Sequence, residues 1–440
     1  MREHTVPTLP DGLCPPSVRR LMDLFTGAGE GAYLVGGCVR DALMGRVPHD
    51  WDMAVTTVPE RTQALCQAAG YRTIPTGIAH GTVTVLVPGP DRDSRPEPVE
   101  CTTCRTEGGY SDGRHPDAVT FTGRIRDDLS RRDFTVNAMA AAPGQDGRLA
   151  VLDLFGGMED LERRIIRCVG DPTARLTEDA LRILRAVRFA VKLGFEPDPA
   201  LVAAIPAVAP GLRRISRERI CSEFGQILCS PAPERGIALL WGWGLLGYIL
   251  PRSLGRAQAA GTDWTALAPP ETGRLSDLPP ELFLRLACLL WDSEGTDAQS
   301  DLESLRLPGE VVSRVMRCLS DREAAPAAPA GASPYAAAPT PEAARRLRHR
   351  LGEMALPTLA IRAARGEDTA ALSRLVRESE ARGDCVSLSG LAVNGHDLAA
   401  AGVPAGREMG RILARLLELV LTSPEKNVPA TLIEEARRWV

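Results

Sequence analysis

The residues whose types and spacing could do chemistry are a glycine pair, an arginine and two aspartates near the N-terminus. Gly36 and Gly37 follow a predicted strand, with Arg40 behind them. Glycines at such a turn let backbone N–H groups approach a phosphate closely. Asp50 and Asp52 come about thirteen residues after the pair, and on a strand their carboxylates share one face. Hard oxygen ligands aimed in one direction suit Mg²⁺, so the sequence predicts a site for a nucleotide and Mg²⁺.

A third carboxylate would be needed to hold a second cation or to accept the proton of the attacking group. Glu100, on a strand predicted at 99–103, is the best candidate by residue type. Cys101 and Cys104 in the same segment have the spacing of half a zinc site. Residues three apart on a strand face opposite sides, and no second Cys or His pair follows at ligand spacing. The sequence therefore disfavours a zinc site.

A helical pattern from Thr177, as N-cap, to Gly194, as C-terminal stop, carries a second candidate group. Asp179 and Arg182 are spaced i, i+3, which also suits an ordinary solvated ion pair. The functional interpretation is more specific. A carboxylate only accepts hydrogen bonds and a guanidinium only donates them, so the pair can hold the edge of cytosine or adenine. Uracil and guanine would present an acceptor to the carboxylate and be rejected.

These residues lie in blocks that resemble a known family. The segment LVGGCVRDALMGRVPHDWDMAVTT (34–57) closely resembles the first signature of the class II tRNA nucleotidyltransferases, which are the CCA-adding enzymes and bacterial poly(A) polymerases. Further blocks resemble the later motifs in the same order: ECTTCRTEGGYSDGRHPDAVTF (100–121), DLSRRDFTVNAMA (128–140), DLFGGMEDLERRIIR (153–167), EDALRILRAVRF (178–189) and RISRERICSEF (214–224).

The resemblance assigns roles to residues at matching positions. It agrees with Asp50 and Asp52 as the catalytic pair that holds the metal, while Glu100 is the third catalytic candidate by residue type. It also implies that Asp133 meets the ribose, supported by Arg132 and Asn137. The full set of expected nucleotide-binding residues is Gly36, Gly37, Arg40, Arg132, Asp133, Asn137, Asp179, Arg182, Arg185 and Arg188.

The activity implied by the resemblance is template-independent addition of CCA to the 3′ end of tRNA from CTP and ATP, with Mg²⁺ as cofactor. A poly(A) polymerase is the first alternative, although its tail is usually strongly basic. Enzymes that add only CC or only A are further alternatives, and the glycine-rich loop at 107–116 favours full CCA addition. A catalytically inactive RNA-binding module would require a broken aspartate pair, whereas Asp50 and Asp52 are both present.

The predicted elements indicate an α+β fold: a polymerase-β-like head with a mixed sheet and helices, followed by an all-helical neck, body and tail. Strands are expected at 32–35, 51–56, 82–87, 99–103, 119–121 and 136–142, with a helix starting near Pro59 and a surface insert at 88–98. The expected domains are a head at 1–150, a neck at 151–235, a body at 236–323, an Ala/Pro linker at 324–342 and a tRNA-binding tail at 343–440.

Composition excludes several classes of protein. The chain has 440 residues, a net charge of −4 and eleven dispersed cysteines, which argues against a disulfide framework. It has no apolar run near the ~20 residues of a membrane span. The N-terminus lacks the pattern of a signal peptide, so we expect a cytoplasmic protein with no membrane and no obligate protein partner. Any anion-binding surface must be local, because the overall charge is mildly acidic.

Overall fold

The computed structural model describes residues 7–89, 94–108, 118–144, 146–254, 271–324 and 339–439. The chain divides into two compact units, one formed by residues 1–223 and 242–245 and the other by 224–241 and 246–440. Within the described ranges, no helix has the length and apolar character that crossing a membrane requires. Most of the predicted loop at 107–116 lies outside those ranges, as do residues 90–93 of the predicted insert and 325–338 of the predicted linker.

The first unit is built around a seven-stranded mixed sheet with the strand order β3-β4-β5-β2-β1-β8-β9. Its strands are β1 (Ala32–Val35), β2 (Trp51–Val55), β3 (Arg72–Gly77), β4 (Thr82–Val87), β5 (Glu97–Thr103), β8 (Met139–Pro143) and β9 (Leu149–Asp153), with a separate hairpin of β6 (Arg105–Gly108) and β7 (Ala118–Phe121) and a small pair of β10 (Ile165–Ile166) and β11 (Glu196–Pro197). Its helices are α1 (Pro16–Gly27), α2 (Gly37–Leu43), α3 (Pro59–Ala68), α4 (Ile125–Ser130), α5 (Gly157–Arg163), α6 (Pro172–Glu178), α7 (Leu181–Leu193), α8 (Pro199–Val208) and the start of α9 (Arg217–Leu228).

Alternation along the strands decides which side chains enter the core. Val83 pairs with Cys101 and Val85 with Val99 across β4 and β5, and all four side chains are buried with α1 and α3 in one cluster. The residues between them face the other side of the sheet. Cys104 belongs to a second cluster on that other side, so Cys101 and Cys104 lie on opposite faces.

The second unit is helical in its described part. Its helices are the end of α9, α10 (Pro233–Gly242), α11 (Leu246–Ile249), α12 (Leu282–Leu289), α13 (Gly295–Ser304), α14 (Gly309–Ala324), α15 (Pro341–Leu351), α16 (Ala355–Ala364), α17 (Ala370–Ala381), α18 (Gly395–Ala400), α19 (Arg407–Thr422) and α20 (Pro429–Arg437). One core of this unit is formed by an apolar face of α19, where Ile412, Leu416 and Val420 recur every four residues and are buried.

The six predicted strands are all present, the last with a later start, whereas β3, β6, β9, β10 and β11 were not predicted. The strand predicted at 136–142 starts later, because Thr135–Asn137 form a single 3₁₀ turn and β8 begins at Met139. Strand β3 was not predicted because Pro75 interrupts its pattern. The structure places β3 at the edge of the sheet, where a proline that cannot donate a hydrogen bond is tolerated.

Candidate active site

The glycine turn lies at the end of β1, next to both an arginine and a catalytic candidate. Gly36 has φ 76° and ψ −131°, a conformation essentially restricted to glycine. A Cβ atom at this position would lie 2.9 Å from Nη1 of Arg132 and 4.0 Å from Oδ2 of Asp52. The backbone of Gly36 therefore approaches both side chains because it carries no side chain of its own.

Replacing Gly36 by alanine is expected to raise KM for the nucleotide about tenfold. The new Cβ displaces Arg132 from the cavity and adds ~1–3 kcal/mol of backbone strain to the turn. Steady-state incorporation kinetics measure the effect. Gly45→Ala is the matched control, since Gly45 also has a positive φ of 69° but a Cβ there meets nothing within 4 Å. An equal KM for the two variants would contradict a role of Gly36 in the site.

The three predicted carboxylates lie close to one another without forming one ligand cluster. Asp52 of β2 pairs in register with Glu100 of β5, so both side chains lie on the same face of the sheet. Asp52 is half-buried, whereas Asp50 and Glu100 are exposed. Burial raises the pKa of Asp52, as do the charges of Glu100 and Asp50, while Arg132 opposes them. In the described part of the chain, no three Asp, Glu, His or Cys side chains form a metal-binding cluster.

This arrangement fits a divalent metal ion that also binds the substrate. Mg²⁺ is commonly held by one or two carboxylates and completes its shell with phosphate oxygens and water. Burial, followed by the charges of Glu100 and Asp50, disfavours the ionised form of Asp52, and a bound cation would relieve that cost. Glu100 lies beside Asp52 on the neighbouring strand. Its role as the third carboxylate stays a prediction.

One cavity of about 460 Å³ in the first unit collects all the predicted nucleotide-binding residues. Seven arginines and three carboxylates line it, so the lining is strongly cationic and suited to a polyphosphate. Asp52 reaches the cavity, but Asp50 and Glu100 do not line it. The lining residues are Gly36, Gly37, Arg40, Asp52, Arg131, Arg132, Asp133, Asn137, Asp179, Arg182, Arg185, Arg188, Phe189 and Arg219.

The predicted ribose-recognition group is held in a buried network. Asp133 accepts hydrogen bonds from Arg185 Nε at 2.8 Å and from Asn137 Nδ2 at 3.3 Å. Asn137 Oδ1 in turn accepts from Arg40 at 2.6 Å. Burial acts to raise the pKa of Asp133, but the charge and hydrogen bonds of Arg185, with contributions from Arg182 and Asn137, bring it below the ordinary value. Asp133 is therefore ionised at neutral pH and can accept a further hydrogen bond.

Arg132 is fixed by a carboxylate that sequence reasoning did not single out. Asp128 is 1% exposed and binds Arg131 through one oxygen at 2.6 Å and Arg132 through the other at 3.1 Å. The charges of the two arginines lower the pKa of Asp128 despite its burial. Asp128 thus orients both guanidinium groups at the rim of the cavity.

The predicted helix from Thr177 to Gly194 is wrong at its start. Helix α6 ends at Glu178, Asp179 is extended with φ −148° and ψ 102°, and α7 begins at Leu181. The carboxylate of Asp179 accepts the backbone N–H of Leu181 at 3.0 Å, which favours the break over a continuous helix. Gly194 ends α7 in the left-handed conformation, as predicted.

The candidate base-selecting residues line the same cavity but do not pair with each other. Asp179 Oδ2 accepts from Arg219 Nη2 at 2.6 Å, and Arg182 donates to Glu178 at 2.5 Å and to the carbonyl of Arg175 at 2.8 Å. The i, i+3 ion pair considered from the sequence is therefore absent among the described contacts. Each side chain is fixed separately, which orients both toward the cavity.

Two residues of α9 that orient side chains of the cavity, Arg219 and Glu223, were not singled out from the sequence. Arg219 binds Asp179, and Glu223 lies 3.0 Å from Arg188 Nε and 3.7 Å from Arg185 Nη1. Burial lowers the pKa of Arg188 and raises that of Glu223. The signal was present in the block at 214–224, where Arg219 and Glu223 are four residues apart on one face of a helix.

Profile comparisons match three parts of the chain. The profile described as the Poly A polymerase head domain matches residues 32–167. The RNA- and SrmB-binding site of polymerase A matches residues 194–253, and tRNA nucleotidyltransferase domain 2 matches residues 286–436. The first of these contains the glycine turn and all three catalytic candidates.

Curated relatives match over about half of their length. The CCA-adding enzyme of Limosilactobacillus fermentum is 43% identical over 235 residues, which cover 53% of this chain and 54% of the relative. That of Levilactobacillus brevis is 44% identical over 230 residues, covering 52% and 54%.

Solved structures match over nearly the whole chain. The CCA-adding enzyme of Bacillus stearothermophilus, in complex with CTP, is 31% identical with a TM-score of 0.74, covering 97% of this chain and 99% of that one. The Thermotoga maritima CCA-adding enzyme complexed with tRNA is 18% identical with a TM-score of 0.64 over 97% and 96%, a likeness of fold. From the full-length match at 31% identity and the three profiles, the chain belongs to the family of tRNA nucleotidyltransferases and poly(A) polymerases that includes the CCA-adding enzymes.

Proposed function

We propose that the protein adds C, C and A in turn to the 3′ end of tRNA, using CTP and ATP and releasing pyrophosphate. The observation that carries this proposal is one cavity that holds a carboxylate for the metal, an arginine cluster for the triphosphate and the Asp179–Arg182 group for the base. The CCA-adding enzymes of Bacillus stearothermophilus and Limosilactobacillus fermentum are the relatives that support this activity.

Base selection follows from the hydrogen-bonding types of two fixed side chains. Asp179 accepts from the exocyclic amine of cytosine or adenine, and Arg182 donates to the ring acceptors beside that amine. Both side chains keep their orientation through their own partners, Arg219 and Glu178. Uracil and guanine leave the carboxylate facing a carbonyl oxygen, which disfavours their binding without any template.

The remaining residues bind and align the reacting groups. Gly37 and Arg40 contact the triphosphate, Arg185 and Arg188 line its phosphate side, and Asp133 accepts a hydrogen bond from the ribose. Asp50 and Asp52 would hold Mg²⁺, which lowers the pKa of an attacking hydroxyl and neutralises charge on the triphosphate. The tRNA 3′-oxygen forms a bond to the α-phosphorus as the bond to the pyrophosphate oxygen breaks. Glu100 is the third carboxylate in this proposal.

We propose that the tail at 343–440 binds tRNA through contacts to the sugar–phosphate backbone of the RNA. Arg407, Arg411 and Arg415 of α19 are exposed and recur every four residues, so they form a cationic stripe that suits phosphates. Arg345, by contrast, is 5% exposed and donates to the carbonyl of Leu421 at 2.7 Å, so it serves the fold. The head, neck, body and linker boundaries given above, and a cytoplasmic location, belong to the same proposal.

A primer-extension assay tests the proposal. Purified protein is incubated with Mg²⁺ and tRNA that ends at the discriminator base, at C or at CC, with each nucleoside triphosphate alone, and product length is read on a sequencing gel. We expect CTP to add two residues to the first substrate, ATP to add one to the last, and extension to stop there. EDTA should abolish all addition.

Each alternative gives a different ladder in this assay. Long A tracts on any primer identify a poly(A) polymerase. Addition that is limited to CC, or to a single A on tRNA ending in CC, identifies a specialised enzyme. Binding of tRNA with no extension by any nucleotide identifies an RNA-binding module and contradicts the proposal.

A further inference from the structure

A buried phenylalanine lies among three guanidinium groups of the cavity. The ring of Phe189 on α7 is 7% exposed, and the guanidinium carbons lie 5.4 Å (Arg40), 5.6 Å (Arg185) and 4.6 Å (Arg188) from its centroid. All three distances are within the ~6 Å over which a cation is attracted to an aromatic ring. Arg40 comes from α2, so the ring joins two separate elements.

The guanidinium of each of the three arginines also contacts a carboxylate. Arg40 contacts Asp41 at 2.8 Å, Arg185 contacts Asp133 at 2.6 Å and Arg188 contacts Glu223 at 3.0 Å. These carboxylates lie on different elements, and Glu223, which also lies 3.7 Å from Arg185 Nη1, brings together Arg185 and Arg188. The negative faces of the Phe189 ring attract all three cations, including Arg40.

The orientation of the ring is itself fixed. Phe134, which is fully buried, packs against Phe189 with centroids 5.7 Å apart and an interplanar angle of 79°. This edge-to-face contact restricts rotation of the Phe189 ring. The faces that the guanidiniums meet are therefore held in one orientation.

We propose that Phe189 is a positioning residue that holds Arg40, Arg185 and Arg188 in a convergent array for the polyphosphate of the nucleotide. The inference rests on the proposed function of the cavity and deepens it. Phe189 acts through the electrostatics of its ring, beyond the volume that it fills. An aliphatic side chain of similar size would fill the site and leave the three cations without their common partner.

Stepwise fluorination of the ring tests the proposal, because fluorine weakens the negative faces with little change of shape. Phenylalanine carrying one, two or three fluorines is introduced at position 189 of the full-length protein by nonsense suppression. The same series at Phe25, which is fully buried in the core that α1 and α3 form with the sheet, is the control. Binding of inorganic tripolyphosphate is measured by calorimetry, and KM for CTP and for tRNA by incorporation kinetics.

We expect the dissociation constant for tripolyphosphate to rise with each fluorine, reaching about tenfold, or ~1.4 kcal/mol, at three. KM for CTP should follow it, whereas kcat and KM for tRNA change less than about twofold and the Phe25 series has no effect. Phe189→Leu should match the trifluoro variant, and Phe189→Tyr should bind more tightly than Phe189→Leu.

The outcomes separate this inference from the proposed function. If the unmodified protein binds tripolyphosphate and the fluorinated series at 189 binds it equally well, the ring serves only packing and the inference is wrong. If the unmodified protein binds neither tripolyphosphate nor CTP, the proposed nucleotide site is wrong and the inference falls with it.

Discussion

Asp52→Asn is expected to reduce nucleotide incorporation by roughly 10³-fold or more, the equivalent of ~4 kcal/mol of lost transition-state stabilisation. The amide keeps the shape of the carboxylate but removes the charge at the point where β2 reaches the cavity. Single-turnover incorporation of CTP into tRNA measures the loss. Asp23→Asn, the same chemical change on the exposed face of α1, should retain full activity.

The same substitution is expected to stabilise the fold. Burial and the charges of Glu100 and Asp50 raise the pKa of Asp52 above its unfolded value. A carboxyl whose pKa is raised by folding costs stability increasingly as the pH rises from the unfolded pKa, and the cost is complete above the folded pKa. Removing the charge should therefore raise Tm at pH 7 and leave Tm nearly unchanged at pH values below both pKa values. Retained activity, or a lower Tm at pH 7, would be incompatible with this assignment.

Asp179→Asn is expected to let UTP compete with CTP. The amide offers an N–H to the O4 atom of uracil, whereas the carboxylate presents only acceptors. Discrimination between CTP and UTP, normally of order 10²-fold or more for such a polar mismatch, should fall below about tenfold. An amide oxygen in place of Oδ2 still accepts from Arg219, while the amide N–H group takes the place of Oδ1, which accepts from Leu181 in the native protein. Competition assays with mixed nucleotides and sequenced tRNA ends measure the ratio of C to U.

Asp171→Asn provides the matched control for this change. Asp171 caps α6 by accepting the N–H of Ala174 at 2.8 Å, and asparagine caps helices equally well. Its side chain does not line the cavity. Unchanged rejection of UTP by Asp179→Asn, or equal relaxation by Asp171→Asn, would refute the base-selecting role of Asp179.

Local sequence signals predicted the parts of the site whose conformation depends on interactions between residues close in the chain. The glycine turn, the alternation that puts Asp52 toward the cavity and the left-handed stop at Gly194 all follow from a few adjacent residues. The break at Asp179 did not follow, because the apolar periodicity continues across it. The Asp179 side chain caps the next turn and so overrides that periodicity. Its long-range contact with Arg219 favours the capped conformation over a continuous helix.

The partners of the charged residues could not be predicted from spacing. Asp179 pairs with Arg219, forty positions away, and Asp133 with Arg185, fifty-two positions away. An i, i+3 neighbour such as Arg182 is the obvious candidate from sequence, but a long-range contact replaces it. The family blocks contained every one of these residues and so located the site, while the pairings required the fold.

The ion pairs across the cavity make the protein's own carboxylates competitors of the proposed nucleotide for the same arginines. Asp133 holds Arg185, Asp179 holds Arg219 and Glu223 holds Arg188. A nucleotide that binds these arginines replaces their contacts with carboxylates by contacts with phosphates. Its binding free energy is therefore the difference between the two sets of ion pairs. The affinity should accordingly vary less with salt than seven isolated arginines would require. A ligand that displaces a carboxylate without replacing its contact leaves a buried charge unpaired. Such a ligand binds weakly, so the ion pairs themselves contribute to its exclusion.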